Sequence, residues 1–465
     1  MRFPFLNRKG ELSRLRKALS GRESSLVCLY GRRRVGKSRL VEEALAGLPA
    51  VYYLADERDE RLQRQALARE IDGLLPGFSS VEYPDWDALF DRWEKEAPAG
   101  AVLALDEVPY LVAAARALPS ILQRRVDRPS GRRHWVLCGS SQRMMHGLVL
   151  DGAAPLYGRA REVMKVEPLA FPHVADALRL SKAEAAVEAF ATWGGIPRYW
   201  ELARDFRDLR GAQRALVLDP LGVLHREPDR LLLDEVRETM QAHSILALVG
   251  QGCHRLSEIA ARLGKPATSL TRPLALLHDI GLVARELPFG EHPRSKRSRY
   301  RIADPFLRFW YRFVDPNRSL LEGGDVEAVR RKKVDPGWPH HVAEIWEELA
   351  RASVPHVRPG GTSWGPASRW WGRTVDGAMV EIDVVAESLD DPDRLLVGEA
   401  KLSCTASEVA RLAQEVEAKV KRCAFSEGKQ LTVLLWVLRP RGRAGSGVVI
   451  DAEDVLSSWR AKVSR

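Results

Sequence analysis

The sequence of 465 residues has few of the features of a secreted or membrane protein. It contains only five cysteines, an odd number with no C-x-x-C pair, so neither a disulfide framework nor a zinc knuckle is indicated. The N-terminus MRFPFLNRKG has no apolar run of the signal-peptide type, and no apolar segment reaches the ~20 residues that span a bilayer. We therefore expect a cytoplasmic protein that does not act in a membrane.

Acidic residues are fewer than basic ones. The chain has 72 Lys and Arg against 62 Asp and Glu, a net charge of +10, which favours a polyanionic partner, with nucleic acid first. Alternatively, an arginine-rich proteome would give the same positive charge without any such partner. Hydrophobic content of 45% is ordinary for a globular protein, and the length predicts about three domains of roughly 150 residues each.

The segment LYGRRRVGKS is a complete G-x4-G-K-[ST] phosphate loop. An apolar run, SSLVCL, precedes it and a helical pattern follows, which is the strand, turn and helix context that the motif requires. Lys37 is expected on the β- and γ-phosphates of ATP and the Ser38 hydroxyl on Mg²⁺. The predicted nucleotide-binding residues are Gly31, Arg32, Arg33, Arg34, Val35, Gly36, Lys37, Ser38 and Arg39, together with Arg8 upstream.

Further apolar runs alternate with helical patterns through the first third of the chain. They predict strands at residues 50–54, 101–105, 134–138 and 162–166. Nearly uniform apolar strands that alternate with helices indicate an α/β fold with a parallel sheet covered on both faces.

Polar residues follow these strands where a parallel sheet places its chemistry. Asp106 is expected to hold Mg²⁺ through water, and Glu107 to polarise the water that attacks the γ-phosphate. Ser140 and Ser141 are candidates to sense that phosphate, or alternatively to cap a helix. Arg159 is a candidate to stabilise the transferred phosphoryl group from a neighbouring subunit of a homo-oligomer, or to form an ordinary salt bridge.

Six segments together resemble the archaeal-type ATPase family within the AAA and STAND group of P-loop NTPases. They are FLNRKGEL, LYGRRRVGKS, LALDEVPYL, LCGSSQRMM, PLYGRA and WGGIPRYW, in the family's order. The resemblance implies a five-stranded core with a strand inserted between the two phosphate-site strands, glutamate-assisted hydrolysis, and a helical lid marked by Gly194–Pro197. Arg198 is a candidate second sensor or a structural residue.

The middle of the chain predicts a winged helix. Three short helical patterns between residues 244 and 282 precede two strand-like runs at 282–287 and 299–302. The basic wing between these runs supplies four DNA-binding candidates, Arg294, Lys296, Arg297 and Arg299. The alternative is a packing module that clamps the ATPase. Pro273 lies in the predicted recognition helix and would start or kink it, which argues against placing that helix in a DNA groove.

The C-terminal third predicts an α-β-β-β-α-β order with carboxylates on adjacent strands. Glu399 and Lys401 lie two apart on a strand and would face Asp383, so two carboxylates and the Ala400 carbonyl form a candidate Mg²⁺ site. Lys401 would help to deprotonate the water that attacks a phosphodiester. The set resembles the PD-(D/E)xK restriction-endonuclease-like superfamily, and Glu347 resembles its helical acidic residue. The alternative is an inert fold whose polar cluster forms salt bridges.

Five segments follow from these patterns. They are an ATPase core (1–175), a helical lid (176–233), a winged helix (234–314), a linker (315–341) and a nuclease-like domain (342–465). The whole resembles prokaryotic ATPases that carry a C-terminal domain of obscure role. Two functions are predicted: an ATP-driven protein that engages DNA and possesses a metal-dependent nuclease-like domain, or a STAND-type regulatory switch whose C-terminal domain binds a partner without cutting.

Overall fold

The chain divides into two units in the computed structural model, which describes residues 3–128, 131–236, 238–442 and 448–463. The first unit comprises Met1–Leu169, with the short segments Ile196–Arg198 and Leu233–Glu235. The second comprises Ala170–Gly195, Tyr199–Leu232 and Val236–Arg465. Two short segments from distant parts of the sequence therefore complete the first unit.

The first unit contains a five-stranded parallel sheet in the order β2-β3-β4-β1-β5. The strands are β1 (Ser25–Tyr30), β2 (Ala50–Leu54), β3 (Ala101–Asp106), β4 (Arg133–Gly139) and β5 (Glu162–Lys165). β4 lies between β1 and β3, so the expected inserted strand is present. The predicted α/β class with a parallel sheet is confirmed.

Helices connect these strands, as parallel pairing requires. α1 (Lys9–Leu19) precedes β1, and the connecting helices are α2 (Lys37–Leu45), α3 (Glu60–Asp72), α4 (Trp86–Glu96), α5 (Val108–Ala114), α6 (Leu118–Asp127) and α7 (Gln142–Met145). The side chain of Asp85 caps α4 by accepting from the Ala88 amide. α4 buries Phe90 edge-on against Trp135 of β4, with 5.0 Å between ring centroids, so the aromatic residues of this unit cover its sheet.

The second unit begins with helices, where a helical pattern was predicted, and their role as a lid stays a prediction. Its first helices are α8 (Pro172–Leu178), α9 (Ala183–Trp193), α10 (Pro197–Ala203), α11 (Leu209–Gln213) and α12 (Glu227–Glu235), of which α10 and α12 each include residues of the first unit. Next come α13 (Thr239–Gly250), α14 (Leu256–Leu263), α15 (Ala267–Asp279), β6 (Val283–Glu286) and β7 (Arg299–Ile302). β6 and β7 pair antiparallel, with Val283 opposite Ile302. Three helices and a strand pair thus occur in the predicted order, and their assignment as a winged helix stays a prediction.

The segment predicted as a linker, residues 315–341, is helical instead. It contains α17 (Arg318–Glu322), α18 (Val326–Val329) and the first turns of α19 (Asp335–Val357), after α16 (Pro305–Phe309). Leu321, Val329 and Val334 are buried. The linker prediction is wrong because Pro336 occupies the first turn of α19, where a proline replaces an amide that lacks a helical partner anyway.

A second five-stranded sheet, of mixed direction, follows in the order β12-β11-β10-β9-β8. Its elements are β8 (Ser368–Arg373), β9 (Met379–Glu387), β10 (Arg394–Thr405), α20 (Ala406–Lys421), β11 (Gln430–Arg441), β12 (Val449–Asp451) and α21 (Ala452–Val463). β10 runs antiparallel to β9 and parallel to β11, and Gly398 is opposite both Val384 and Leu434. The predicted order is present, with β12 and α21 in addition. No helix in the described residues is long and apolar enough to cross a membrane.

Candidate functional site

The phosphate loop connects β1 to α2 and closes around Lys37. The Lys37 ammonium is buried and donates to the carbonyl oxygens of Gly31 (2.8 Å) and Arg32 (3.2 Å). A Cβ atom at Gly31 would collide with the Val166 carbonyl oxygen, and Gly36 has a φ of 98°, so both positions need glycine. The loop is therefore shaped by its glycines, with the lysine held at its centre.

Asp106 lies at the end of β3 and meets the first turn of α2. Its carboxylate is 1% exposed and accepts from the Ser38 hydroxyl (2.6 Å), the Tyr52 hydroxyl (2.5 Å) and the Glu107 amide (2.8 Å). Burial, then the negative charge of Asp106, raises the pKa of Tyr52, which keeps this phenol protonated as a donor. A hydroxyl and a carboxylate this close are the hard oxygen ligands that Mg²⁺ prefers, so Ser38 and Asp106 fit the ion.

Glu107 is held beside this pair in an unusual backbone conformation. Its φ of 53° is left-handed, a strained state that occurs mostly where function requires it. The carboxylate accepts from the Ser140 hydroxyl (2.6 and 2.7 Å) and from the Ser140 amide (3.1 Å). Ser141 instead caps α7, accepting from the Met144 amide. Ser141 therefore has the predicted capping contact, whereas Ser140 contacts the candidate catalytic carboxylate and its sensing of the phosphate stays a prediction.

Two acidic residues that the sequence did not predict complete the site. Asp234 pairs with Arg33 of the phosphate loop at 2.8 Å, and Glu235 accepts from the Gln142 amide at 3.1 Å. Glu235 is 2% exposed, and burial raises its pKa to about 7 despite the Gln142 amide and the nearby Lys37. They follow Leu233 at the predicted end of the lid. Because they are far from the phosphate loop in sequence, local patterns did not indicate that they lie beside it.

The remaining predicted residues of this unit surround the loop. Arg8 donates to the carbonyl oxygens of Val35 (3.1 Å) and Glu167 (2.6 Å), which braces the loop. Arg39 pairs with Glu43 on its own helix. Arg159 forms a salt bridge with Asp127 at 2.7 Å, as in the alternative interpretation of that arginine. Arg198 is exposed, and its short segment belongs to the first unit.

The predicted nuclease-like residues also come together, but cations surround them. Asp383 accepts from the Ala400 amide at 3.0 Å, and Glu399 accepts from Lys401 at 3.0 Å and also from Lys419. Glu347 pairs with Arg369. Burial opposes ionisation of Glu399, but the hydrogen bond from Lys419 and the charge of Lys401 leave its pKa lowered, whereas burial and Glu399 raise that of Asp383. Within the described residues, no group of three or more His, Cys, Asp or Glu side chains is arranged to hold a metal.

The four predicted DNA-binding residues of the wing have different environments. Arg294 and Lys296 are exposed. Arg297 pairs with Glu291 and donates to the Trp371 carbonyl oxygen, while Arg299 pairs with Glu381 at 3.0 Å and lies over the Trp371 ring. Arg297 and Arg299 thus attach the wing to the C-terminal sheet. Arg294 and Lys296 are therefore the main remaining candidates for contact with DNA.

The parallel sheet, the phosphate loop and the Asp106–Glu107 pair define the first unit as a P-loop ATPase domain. Residues 5–202 match the model of an ATPase domain predominantly from Archaea. Residues 310–412 match a family described as archaeal and bacterial proteins of unknown function. The chain is therefore similar to an archaeal-type ATPase domain in its N-terminal part and to a family of unknown function in its C-terminal part.

The chain is also similar to other proteins over longer stretches. An uncharacterized protein of Methanocaldococcus jannaschii is 27% identical over 460 residues, which cover 97% of this chain and 99% of that protein. A Walker-type ATPase of Pyrococcus abyssi shares the fold, with 20% identity, a TM-score of 0.51, and coverage of 66% of this chain and 96% of that one. The Orc2 protein of Aeropyrum pernix has 14% identity and a TM-score of 0.46, over 70% and 96% of the two chains.

Proposed function

We propose that this ATPase binds ATP with Mg²⁺ at the phosphate loop, and that its nucleotide state controls how the second unit engages DNA. The observation that carries the proposal is the contiguous set of Lys37, Ser38, Asp106, Glu107 and Ser140 at the ends of three neighbouring strands. Such a set combines a phosphate cradle with oxygen ligands and a candidate base, as hydrolysis of ATP requires.

Each residue has a distinct role in this proposal. The loop amides and Lys37 bind the β- and γ-phosphates, while Ser38 and Asp106 hold Mg²⁺, which supplies charge neutralisation on the phosphate oxygens when bound. Glu107 orients the attacking water and accepts its proton. Ser140 fixes the Glu107 carboxylate through both its hydroxyl and its amide, so the direction of that carboxylate depends on the conformation after β4.

The segment Leu233–Glu235 is the candidate link between nucleotide and second unit. Its residues belong to the ATPase unit, whereas the chain on either side of it belongs to the second unit. Asp234 holds Arg33 in the phosphate loop, and Glu235 holds the amide that begins α7 after Ser140. A bound triphosphate would compete with Asp234 for Arg33 and repel Glu235, so these contacts would differ between the nucleotide states.

DNA engagement rests on charge and exposure in the second unit. Arg294 and Lys296 in the wing are exposed, as are Ser269, Thr271 and Arg272 in the first half of α15. Cationic side chains on a wing beside an exposed helix suit contacts with DNA phosphates, which position a protein without reading sequence. The net charge of +10 supports the same partner.

A second candidate function is a regulatory switch whose C-terminal domain does not cut DNA. It is favoured by the cations that already occupy the predicted nuclease carboxylates, with Lys401 and Lys419 on Glu399 and Arg369 on Glu347. A carboxylate whose charge is already compensated has less attraction for Mg²⁺. In this case the cluster would stabilise the sheet, and the domain would bind a partner.

One experiment separates the two candidates. The full-length protein is incubated with DNA and Mg²⁺ or Mn²⁺, with and without ATP, beside the variants Lys401→Ala and Lys37→Ala. Lys421→Ala is a matched control, because Lys421 is exposed and pairs with Glu417 on the surface of α20. Cutting that is lost in Lys401→Ala and retained in Lys421→Ala supports a nuclease, whereas ATP-dependent assembly of the protein without cutting supports the switch. ATP hydrolysis by Lys37→Ala at the parent's rate would refute the role of the phosphate loop.

A further inference from the structure

The second unit contains a small cavity whose walls are rich in arginine. The cavity has a volume of about 80 Å³, and its charged lining consists of three glutamates (Glu286, Glu344 and Glu348) and six arginines (Arg299, Arg301, Arg308, Arg312, Arg351 and Arg369). Positive groups therefore outnumber negative ones two to one, in a place that is largely removed from solvent.

Three arginines of this wall each have one nitrogen atom without an acceptor, although their other nitrogens pair with glutamates. Arg308 Nε, Arg312 Nη1 and Arg369 Nε are buried without a hydrogen-bond partner among the described residues. Arg351 is 9% exposed and donates only to the Asp383 carbonyl oxygen, and no carboxylate of a described residue is within ion-pair distance of it. Buried donors without partners are costly, and in native proteins they mark the place of an ordered water or ion.

Ion pairs with glutamate already engage most arginines of the cavity, which limits where an anion could sit. Arg301 contacts Glu286 (2.5 Å) and Glu348 (2.9 Å), and Arg308 contacts Glu348 at 2.7 Å. Burial and the neighbouring Arg369 guanidinium lower the pKa of Arg351, so that an anion between these two side chains would relieve their repulsion. Arg351, which has no carboxylate partner among the described residues, and the unpartnered Nε of Arg369 are thus the candidate ligands for an anion in this cavity.

A larger open cleft of about 630 Å³ shares part of this wall. Glu286, Arg301, Glu348, Arg351 and Arg369 line both spaces. The cavity is of a size for one phosphate group, and the cleft has room for the rest of a larger molecule. We propose that this arginine cavity binds a terminal phosphate monoester, carried by a nucleotide or by the end of a nucleic-acid strand, whose remainder lies in the cleft.

This site is separate from the phosphate loop, and the proposal does not depend on ATP hydrolysis. It assigns Arg351 and Arg369 to binding the phosphate, because a planar guanidinium matches the oxygens of a phosphate and can donate two parallel hydrogen bonds. Arg351 also donates to the backbone of Asp383, and Arg369 pairs with Glu347, so an occupied cavity would act on the predicted nuclease-like residues.

The test uses the full-length Lys37→Ala chain, in which the phosphate loop should no longer bind nucleotide. Binding of each probe is measured by isothermal titration calorimetry. The probes are inorganic phosphate, AMP, and a short single-stranded oligonucleotide with either a 5′-phosphate or a 5′-hydroxyl. Ala352 is exposed and lines the cleft beside Arg351, so Ala352→Glu adds a negative charge without disturbing the interior, and Ala352→Gln is its neutral control.

We expect binding of phosphate-bearing probes that Ala352→Glu weakens about tenfold and Ala352→Gln leaves unchanged. Arg351→Gln should abolish this binding. AMP binding identifies a nucleotide as the source, and a preference for the 5′-phosphorylated oligonucleotide identifies a strand end. Equal affinities in Ala352→Glu and Ala352→Gln, or no binding of any phosphate-bearing probe to the Lys37→Ala chain, would overturn the proposal.

Discussion

The carboxylates of the two predicted sites, one in each unit, have different kinds of partners. In the ATPase unit, Asp106 is bound by the hydroxyls of Ser38 and Tyr52, and Glu107 by the hydroxyl and amide of Ser140. In the second unit, lysines bind Glu399 and an arginine binds Glu347. The carboxylates of both sites lie at strand ends or beside strands and are largely buried. Only the second set, Glu399 and Glu347, has cationic side chains as its partners.

This difference separates a site prepared for a cation from one that already contains cations. Neutral hydroxyl donors orient a carboxylate while its full negative charge remains available to Mg²⁺. Ammonium and guanidinium partners neutralise that charge and contribute to the stability of the fold. The comparison predicts that changes in the first set alter chemistry, whereas changes in the second set alter stability.

The largest expected effect comes from Glu107. Glu107→Gln retains the size of the side chain and can still accept from Ser140, but it removes the base, so we expect hydrolysis to fall by about 10²- to 10⁴-fold while ATP affinity is retained. Phosphate release and nucleotide binding are measured in parallel. Glu70→Gln, on the exposed face of α3, is the control. Hydrolysis at the parent's rate in Glu107→Gln would remove the distinction between the two sets of carboxylates.

Glu235 extends the comparison to a buried carboxylate that accepts a hydrogen bond from the Gln142 backbone amide. Burial raises its pKa to about 7, so the folded state favours the protonated acid; the resulting stability is present below the unfolded pKa and is lost as the pH rises towards 7. Glu235→Gln should remove this loss and make the ATPase unit more stable than the parent by about 3 kcal/mol at pH 8.

Urea unfolding at pH 5 and at pH 8, followed by hydrogen exchange in peptides of the first unit, measures this effect. The gain should be present at pH 8 and small at pH 5. An equal change in stability at both values would show that Glu235 is ionised throughout.

Lys419 tests whether the second set is structural. Lys419→Met leaves the buried Glu399 with Lys401 alone and should destabilise the second unit by about 1–3 kcal/mol at pH 7. The pKa of Glu399 is lowered in the fold, so its stabilising contribution exists above the unfolded pKa and is lost on acidification. The difference between variant and parent should therefore shrink in acid.

Lys421→Met is the matched control for this variant. Lys421 forms a surface pair with Glu417, whose loss should change stability by less than about 1 kcal/mol. Denaturant unfolding with hydrogen exchange in β9 and β10 reports the effect. If the two variants are equally stable, the cations do not hold the second set in place.

The smallest effect is expected at the Arg33–Asp234 pair. Both side chains are partly exposed, so Asp234→Asn should change the stability of the ATPase unit by about 0.2–1 kcal/mol. Removal of a negative charge beside the phosphate loop should nevertheless strengthen ATP binding, about two- to fivefold. Asp234→Glu preserves the charge and should bind ATP like the parent. Weaker binding by Asp234→Asn would show that the pair supports the nucleotide instead of competing with it.

Short-range patterns predicted the parts of the site that are contiguous in sequence. The phosphate loop, Asp106, Glu107 and Ser140 each follow an apolar strand, and parallel strands bring their carboxyl ends to one edge. Tyr52, Asp234 and Glu235 were missed because none belongs to a local motif. The contacts of Asp234 and Glu235 span 201 and 93 residues, a distance over which periodicity carries no information.

The C-terminal region shows a different limit. Its strands were predicted from apolar runs, and the pair of Asp383 and Glu399 was predicted from strand periodicity. Lys419 was not foreseen as a partner of Glu399, because α20 was interpreted only through its apolar face. The helices at 315–341 were missed because their prolines and glycines resemble a linker until the position of each proline in its helix is known.

The central claim is that ATP held at the phosphate loop changes the behaviour of the second unit. Its most direct test is the DNA affinity of the full-length protein, measured by fluorescence anisotropy at fixed salt with no nucleotide, with ADP and with ATP, in the presence of Mg²⁺. The proposal predicts that ATP shifts the affinity of the parent and leaves that of Lys37→Ala unchanged. The same affinity in all nucleotide states of the parent would contradict it.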